Sequence, residues 1–169
     1  MKKIRNEDKI KLFLVFNERL ILQSIYQSRQ VTKRVMIYDI NNQNWTEGPS
    51  LNIKRTDPAC MVDQKTETIH VIGGGNYLNS TEILKKGSKK WEMGPYLEQP
   101  VIYSAAVSSW SIEYVGYLVG GETYRKGRKL AKTWGLRRSD MEWIEMPKQL
   151  KIPRTSHSVV NVESCEIGC

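Results

Sequence analysis

The sequence predicts an all-β protein of about three four-stranded antiparallel units, and three observations support this prediction. One order of features recurs: an apolar strand, a glycine turn, a second strand, a tryptophan and a Gly-Pro or Met-Pro turn. The tryptophans recur at similar spacing, because Trp91 follows Trp45 by 46 positions and Trp143 follows Trp91 by 52. No segment keeps the 3.6-residue apolar period of an amphipathic helix.

The clearest unit lies within Thr68–Leu97. An apolar run at Ile69–Ile72 ends at three glycines, Gly73–Gly75, and a second strand is predicted at Glu82–Leu84. Glycine at the end of a strand allows a turn with positive φ and a close approach of neighbouring backbone. Trp91 and the turn at Gly94-Pro95 complete this unit.

The flanking units are less regular. Downstream, Tyr117–Val119 runs into Gly120-Gly121, Lys132–Leu136 follows, and then come Trp143 and Met146-Pro147. Upstream, strands are predicted at Lys11–Phe16, Arg19–Tyr26 and Lys33–Asp39, and a short fourth strand begins at Trp45. This first unit has no glycine pair and carries Tyr26-Gln27-Ser28 at the aligned place.

The segment after each turn also recurs and sets the boundaries between units. Arg55–Met61 reads RTDPACM, and Arg154–Val160 reads RTSHSVV. The middle copy, Pro100–Val107, lacks the arginine, and its Tyr103 aligns with His157. We therefore divide the chain into a divergent unit at 1–53, units at 54–99 and 100–150, and the first strand of a fourth unit with a tail at 151–169.

These motifs resemble the kelch-repeat family, whose propeller blades repeat at about 50 residues. The resemblance covers nearly the whole chain and implies kelch-type β-propeller blades in an incomplete propeller. It assigns structural roles to Gly73, Gly74, Gly120 and Gly121. It also implies that the three tryptophans, Trp45, Trp91 and Trp143, lie on outer strands and pack between adjacent blades.

The overall composition favours an intracellular, cytoplasmic chain. The formal charge is +8 and the pI about 9.4, no uninterrupted apolar stretch is long enough to span a membrane, and the start does not resemble a signal peptide. Cys60, Cys165 and Cys169 form an odd set, which favours reduced thiols over a disulfide framework.

The residues do not predict a catalytic or metal site. The sequence has two histidines, of which His70 lies in a predicted strand and His157 in a recurring strand start. Gly73–Gly75 follows a strand, but no Gly-Lys-Ser/Thr follows it, so we do not expect a nucleotide site. We expect no cofactor, no bound metal and no enzymatic activity.

A basic stretch, Tyr124–Lys129, follows the glycine pair of the third unit and lengthens that loop. It is either a solvated loop or a contact loop for an acidic protein segment, and nucleic acid is a weaker third alternative because no binding motif accompanies the charge. In kelch-like blades this loop and the loop that enters the next blade emerge on the same face. The resemblance thus implies a partner-binding face formed by these residues: Arg55, Thr56, Asp57, Asn76, Tyr77, Glu122, Thr123, Tyr124, Arg125, Arg128, Arg154 and Ser156.

Two functions remain open at this point. The resemblance implies a protein-interaction module that recruits a partner, as a substrate adaptor of a cullin-type ubiquitin ligase or as an actin-binding scaffold. In the basic-rim hypothesis, Arg55, Arg125, Arg128 and Arg154 hold an acidic segment of the partner; alternatively, Arg55 and Arg154 only anchor turns. The alternative function is a carbohydrate-active propeller enzyme, such as a sugar isomerase or hydrolase. We also expect self-association through uncovered blade faces.

Overall fold

The structure of the protein, a computed structural model, describes residues 31–75, 78–123 and 127–161, together with the backbone of strand residues 9–10, 13–16, 19–23 and 25–26. The described part is all-β and contains no helix, and therefore no helix that could cross a membrane. This confirms the all-β class that the sequence predicts.

Three four-stranded antiparallel sheets follow one another along the chain. The first region contains β1 (Lys9–Ile10), β2 (Phe13–Phe16), β3 (Arg19–Gln23), β4 (Ile25–Tyr26), β5 (Val35–Asp39) and β6 (Asn44–Glu47). Sheet 1 has the order β2-β3-β5-β6, and β1 pairs with β4 beside it. The predicted turn at Asn17-Glu18 and the Gln27-Ser28 positions lie outside the described residues.

Sheets 2 and 3 repeat this arrangement. Sheet 2 is a meander of β7 (Ala59–Asp63), β8 (Thr68–Ile72), β9 (Thr81–Leu84) and β10 (Glu92–Met93). The third region contains β11 (Ala105–Ser108), β12 (Tyr114–Val119), β13 (Glu122–Thr123), β14 (Arg128–Lys129), β15 (Thr133–Arg137) and β16 (Glu142–Glu145). Sheet 3 has the order β11-β12-β15-β16, and β13 pairs with β14 in the long loop.

The same backbone hydrogen bonds close each sheet beyond its strands. In each sheet, the carbonyl of the first residue of the third strand accepts a hydrogen bond from the backbone N–H of a residue that directly precedes a proline. The three bonds are Gly48 N–H to Val35 O at 2.9 Å, Gly94 N–H to Thr81 O at 2.8 Å and Met146 N–H to Thr133 O at 2.8 Å. These bonds define which positions are equivalent in the three sheets.

Sheet 2 lies between its two neighbours. Strand β7 contacts β2 on one side and β11 and β12 on the other. Ile69 and Val71 belong to a buried cluster that includes Val35 of sheet 1, whereas Ile72 belongs to a cluster that includes Leu118 of sheet 3. The strand β8 is therefore buried along its whole length, as its apolar character on both faces predicts.

Candidate functional site

Three equivalent positions mark the entry to successive repeats. The backbone N–H of Arg55 donates to Thr32 at 3.1 Å, and that of Arg154 donates to Leu130 at 3.1 Å. Between them, Val101 N–H donates to the Leu78 carbonyl at 3.2 Å. Each acceptor lies three residues before the third strand of the preceding sheet. Arg55, Val101 and Arg154 are therefore structurally equivalent.

Two residues further along, a chain of hydrogen bonds joins the three entry segments. Tyr103 N–H donates to Asp57 O at 3.4 Å, and Ser156 N–H donates to Tyr103 O at 3.0 Å. All three residues have positive φ, at 47° for Asp57, 58° for Tyr103 and 52° for Ser156. Such values are uncommon for residues other than glycine, so their repetition reflects one shared backbone geometry. The sequence alignment of Tyr103 with His157 is thus wrong by one position.

The three entry segments line a common pocket, which we call the entry pocket. It has a volume of about 520 Å³ and is lined by Asp57–Cys60, Tyr103–Ala106 and Ser156–Val159. Besides Cys60 and His157, its polar side chains are the Asp57 carboxylate, the Tyr103 phenol, and the hydroxyls of Ser104, Ser156 and Ser158. This set can donate and accept hydrogen bonds around a bound polar group.

Two ionisable side chains of the entry pocket are held in their neutral forms. Burial, and then the charge of Arg154, lower the pKa of His157, whose two ring nitrogens are buried and have no hydrogen-bond partner among the described residues. Burial raises the pKa of the Cys60 thiol, and Arg55 opposes this only in part. Neither side chain supplies a charge to the pocket at neutral pH.

A second pocket, which we call the basic groove, lies beside the β13–β14 hairpin. It has a volume of about 700 Å³ and is lined by Gln99, Pro100, Thr123, Arg128–Lys132, Gln149 and Pro153. Arg128 and Lys129 are exposed and have no ion pair within the described part of the chain, whereas Lys132 is paired with Glu145 at 2.5 Å. The Gln99 Nε2 atom is buried without a hydrogen-bond partner among those residues. The unpaired positive charge of the groove thus comes from Arg128 and Lys129.

Arg55 does not lie on an exposed rim, which corrects the sequence prediction. Its side chain is fully buried and forms an ion pair with the equally buried Glu82, with 3.0 Å between Nη2 and Oε1. The remaining donors bind the carbonyls of Gly73 and Ser80 at 2.8 Å and the Ser80 hydroxyl at 2.9 Å. Burial of a guanidinium group requires such partners, and a partner protein cannot reach this one.

The other predicted face residues have different surroundings. Thr56 is half-buried and accepts a backbone bond from Gly75 at 2.6 Å, and Glu122 exchanges two backbone bonds with Ile102. Thr123 lines the basic groove, Arg154 is exposed, and Asp57 and Ser156 line the entry pocket. Four predicted face residues lie outside the described part: Asn76, Tyr77, Tyr124 and Arg125.

The predicted structural glycines occupy the expected turns. All four have positive φ: 62° at Gly73, 107° at Gly74, 60° at Gly120 and 98° at Gly121. A Cβ atom on Gly73 would lie 2.5 Å from the Val101 carbonyl oxygen. The backbone of the next repeat therefore approaches this turn as closely as the sequence analysis predicts.

The tryptophans differ in their packing. Trp91 is 4% exposed, and its Nε1 donates to the Pro49 carbonyl at 2.8 Å, so it joins sheet 2 to the turn of sheet 1. Trp143 is half-buried, and its Nε1 lies 3.4 Å from the Thr81 hydroxyl of sheet 2. Trp45, also half-buried, packs on Tyr38 of its own sheet at 4.8 Å between ring centroids. An intersheet position thus fits Trp91 and Trp143, whereas the described contact of Trp45 is within its sheet.

The sequence analysis did not include Glu82, Tyr103 or Lys129 among the site residues. A charged residue in the TEIL strand next to a buried Gly-Gly strand was the available sign that Glu82 has a buried partner. No three His, Cys, Asp or Glu side chains of the described residues lie close enough together to hold a metal ion. Comparison with protein-family models found no match, and comparison with curated protein sequences found none either.

Proposed function

We propose that the chain is a protein-interaction module built from kelch-type propeller blades. The three sheets would be three blades, and the segment from residue 151 would begin a fourth. The meander order, the repeated closing hydrogen bonds and the contacts of β7 with the first strands of both neighbouring sheets support this arrangement. The glycine pairs and the buried Trp91 support the kelch type of blade.

The function of this module is to recruit a partner protein through a segment of its chain. The entry pocket carries the proposal, since three repeats contribute equivalent residues to one polar pocket. Asp57, Tyr103 and Ser156 line this pocket, and their backbones are fixed by the hydrogen-bond chain. A preorganised surface of this kind loses little conformational entropy on binding.

The basic groove suits acidic side chains of the partner. Arg128 offers a planar fork for a carboxylate, and Lys129 adds a second unpaired cation. Asp57 disfavours a carboxylate inside the entry pocket itself. We therefore assign acidic residues of the partner to the groove, and its neutral polar or backbone groups to the entry pocket.

Two cellular uses of such a module follow from the resemblance to kelch proteins: a substrate adaptor of a cullin-type ubiquitin ligase in the cytoplasm, or an actin-binding scaffold. Both require the same capture of a partner protein. The alternative of a carbohydrate-active enzyme has less support, since Asp57 is the only carboxylate among the lining residues of the entry pocket. Glycoside hydrolysis usually needs two.

The test is affinity capture from cytosol on the immobilised protein at two salt concentrations. The variant Arg128→Glu with Lys129→Glu should lose the salt-sensitive partners. The variant Lys89→Glu with Lys90→Glu makes the same charge change in the exposed β9–β10 turn, at the opposite end of the sheets, and should retain them. The proposal is wrong if both variants capture the same partners as the unmodified protein. A glycan-hydrolysis screen with measurable turnover would instead favour the enzyme.

A further inference from the structure

The buried ion pair of sheet 2 contains a specific site for one carboxylate. Glu82 accepts hydrogen bonds from the backbone N–H groups of Asn52 at 2.6 Å and Ile53 at 3.0 Å, and from the Arg55 side chain at 3.0 and 3.1 Å. Two backbone N–H groups and one guanidinium of the linker before sheet 2 therefore converge on one strand residue. The carboxylate thereby fastens the third strand of the sheet to the linker that enters it.

The same donors recur in the linker that follows sheet 3. Arg154 is equivalent to Arg55, so Lys151 and Ile152 correspond to Asn52 and Ile53. The backbone of Arg154 is fixed as that of Arg55 is, and its carbonyl also accepts a bond from Gly121 at 2.7 Å. Within the described residues, neither the N–H groups of Lys151 and Ile152 nor the exposed Arg154 guanidinium has a hydrogen-bond partner.

The middle repeat indicates that the arginine and the carboxylate belong together. Its entry position holds Val101 in place of arginine, and its third strand holds Trp134 at the position of Glu82. Val101 and Trp134 are buried in one apolar cluster. An arginine at the entry position is thus paired with a carboxylate on the third strand, whereas a valine at the entry position is paired with a tryptophan there. Because Arg154 is an arginine, we expect its partner on the third strand to be a carboxylate.

A strand edge is open next to these donors. Residues 157–160, which follow the left-handed Ser156, lie outside every sheet of the described structure, and half-buried residues alternate with exposed ones along them. This two-residue alternation is that of a β-strand. Ile152 and Val160 are exposed to 64% and 77%. A segment with strand-like alternation, whose backbone has no hydrogen bond among the described residues, is a template for strand addition.

We propose that the Lys151 N–H, the Ile152 N–H and the Arg154 guanidinium bind a single carboxylate on a β-hairpin of a partner polypeptide, which pairs with residues 157–160. The hairpin carries a Gly-Gly turn after its first strand and a glutamate as the second residue of its other strand, as β8 and β9 do. In sheets 1, 2 and 3 this strand position holds Met36, Glu82 and Trp134. Glu82 is fully buried against Arg55, so a second copy of this chain cannot supply it.

The test uses a fluorescent peptide that copies residues 68–84 and measures its binding to the complete protein by anisotropy. We expect saturable binding that weakens at least about tenfold when the peptide carries glutamine in place of Glu82. The same loss is expected with Arg154→Leu in the protein, because each change removes a charge-assisted hydrogen bond. Arg154→Lys should recover only part of the affinity, since lysine lacks the planar fork.

Lys151→Ala provides the matched control. It removes a neighbouring positive charge but keeps the backbone N–H, so the affinity should change by less than about twofold. Arg154 is exposed, and circular dichroism should show an unchanged fold for Arg154→Leu. The proposal is overturned if the peptide does not bind, or if it binds equally with and without the Arg154 side chain or the Glu82 carboxylate. A loss of affinity in Lys151→Ala equal to that in Arg154→Leu would overturn it too, because general charge attraction would then explain the binding.

Discussion

At the scale of single residues, the ion pair of Arg55 and Glu82 is the polar contact that we expect to matter most for stability. Both side chains have no exposed surface, and the pair joins the entry segment, the glycine turn after the second strand and the third strand of sheet 2. Arg55→Met should lower the free energy of unfolding by about 3–5 kcal/mol, because it leaves a buried carboxylate without its counter-charge. Urea denaturation at neutral pH measures this loss.

The corresponding double variant separates the pair from its surroundings. Arg55→Met with Glu82→Leu removes both charges, so it should cost clearly less than the sum of the two single changes. Additive losses would show that the two charges do not stabilise each other and would contradict this interpretation of the pair.

His70 should make the stability of the protein depend on pH. The side chain is 1% exposed, and burial lowers its pKa from 6.5 to about 4; the negative charge of Asp63 opposes this in part, and the positive charge of Arg138 adds to it. The unfolded chain takes up this proton first as the pH falls. The contribution of His70 is therefore complete above pH 6.5 and decreases towards pH 4, by about 3 kcal/mol in total.

Denaturation of His70→Leu between pH 7 and pH 4 tests this expectation. The variant should show a much flatter profile than the unmodified protein over that interval. Below pH 4 both proteins should lose stability as Asp63 is protonated. Burial raises the pKa of Asp63, but its hydrogen bonds to Arg138 and Thr66 outweigh this and hold the pKa below its usual value. Parallel profiles down to pH 4 would exclude His70 as the cause.

The positions of single residues were only partly predictable from the sequence. The alignment RTDP and RTSH gives Arg55 and Arg154 the same place, and the structure confirms that equivalence. The burial of Arg55, however, depends on Glu82, which lies 27 residues away on another strand. Composition and local spacing do not contain that pairing. The left-handed conformation of Asp57 and Tyr103 was equally absent from any local pattern, because neither residue is glycine.

At the scale of elements, we expect Trp91 to contribute more to the stability of the fold than the other two recurring tryptophans. It combines burial with a hydrogen bond to Pro49 of the preceding turn, whereas Trp45 and Trp143 are half-buried. Trp91→Ala should cost about 3–5 kcal/mol in thermal or chemical denaturation, and Trp45→Ala should cost less. A loss below about 1 kcal/mol for Trp91→Ala would show that the ring does not hold sheets 1 and 2 together.

The glycine turn between β8 and β9 can be tested against a matched position. Gly73→Ala should cost about 2–4 kcal/mol, since the new Cβ combines positive φ with a contact of 2.5 Å to a backbone oxygen. Gly87 also has positive φ, at 74°, but a Cβ there has no atom within 4 Å. Gly87→Ala should therefore cost only about 1 kcal/mol. Equal costs would mean that conformational strain, and not close approach, requires Gly73.

The elements were more predictable than the site, for a physical reason. Strand order, glycine turns and tryptophan positions are local features that recur, and a repeated local pattern is read from sequence alone. The contact of Trp91 with Pro49 and the hydrogen-bond chain of the entry pocket depend on how neighbouring repeats meet. The sequence therefore predicts the strands around Gly73 and Gly120 well, but it does not predict that the Arg55 side chain is buried.

The core of the whole molecule is divided between two interfaces. One buried cluster joins sheets 1 and 2, and the other joins sheets 2 and 3. Sheet 2 is thus covered on both faces. In sheet 3, Val115 and Leu118 of β12 are buried, whereas Tyr117 and Val119 on the same strand are only half-buried. The outer side of sheet 3, with the linker that follows it, is therefore incompletely covered within the described structure.

We expect copies of the isolated 169-residue chain to associate with one another through this incompletely covered side. A groove at this outer side is lined by Val119, Leu150, Ile152 and Val159, and Ile152 and Val160 are among the most exposed apolar residues that the structure describes. Exposed apolar surface beside an unpaired strand favours contact between copies. Light scattering should show a mean mass that rises with concentration, and Ile152→Lys with Val160→Lys should reduce that rise. Trp110→Ser with Ile112→Ser removes exposed apolar surface from the β11–β12 turn and should change it little. A single monomeric mass at every concentration would show that this end of the molecule is already covered.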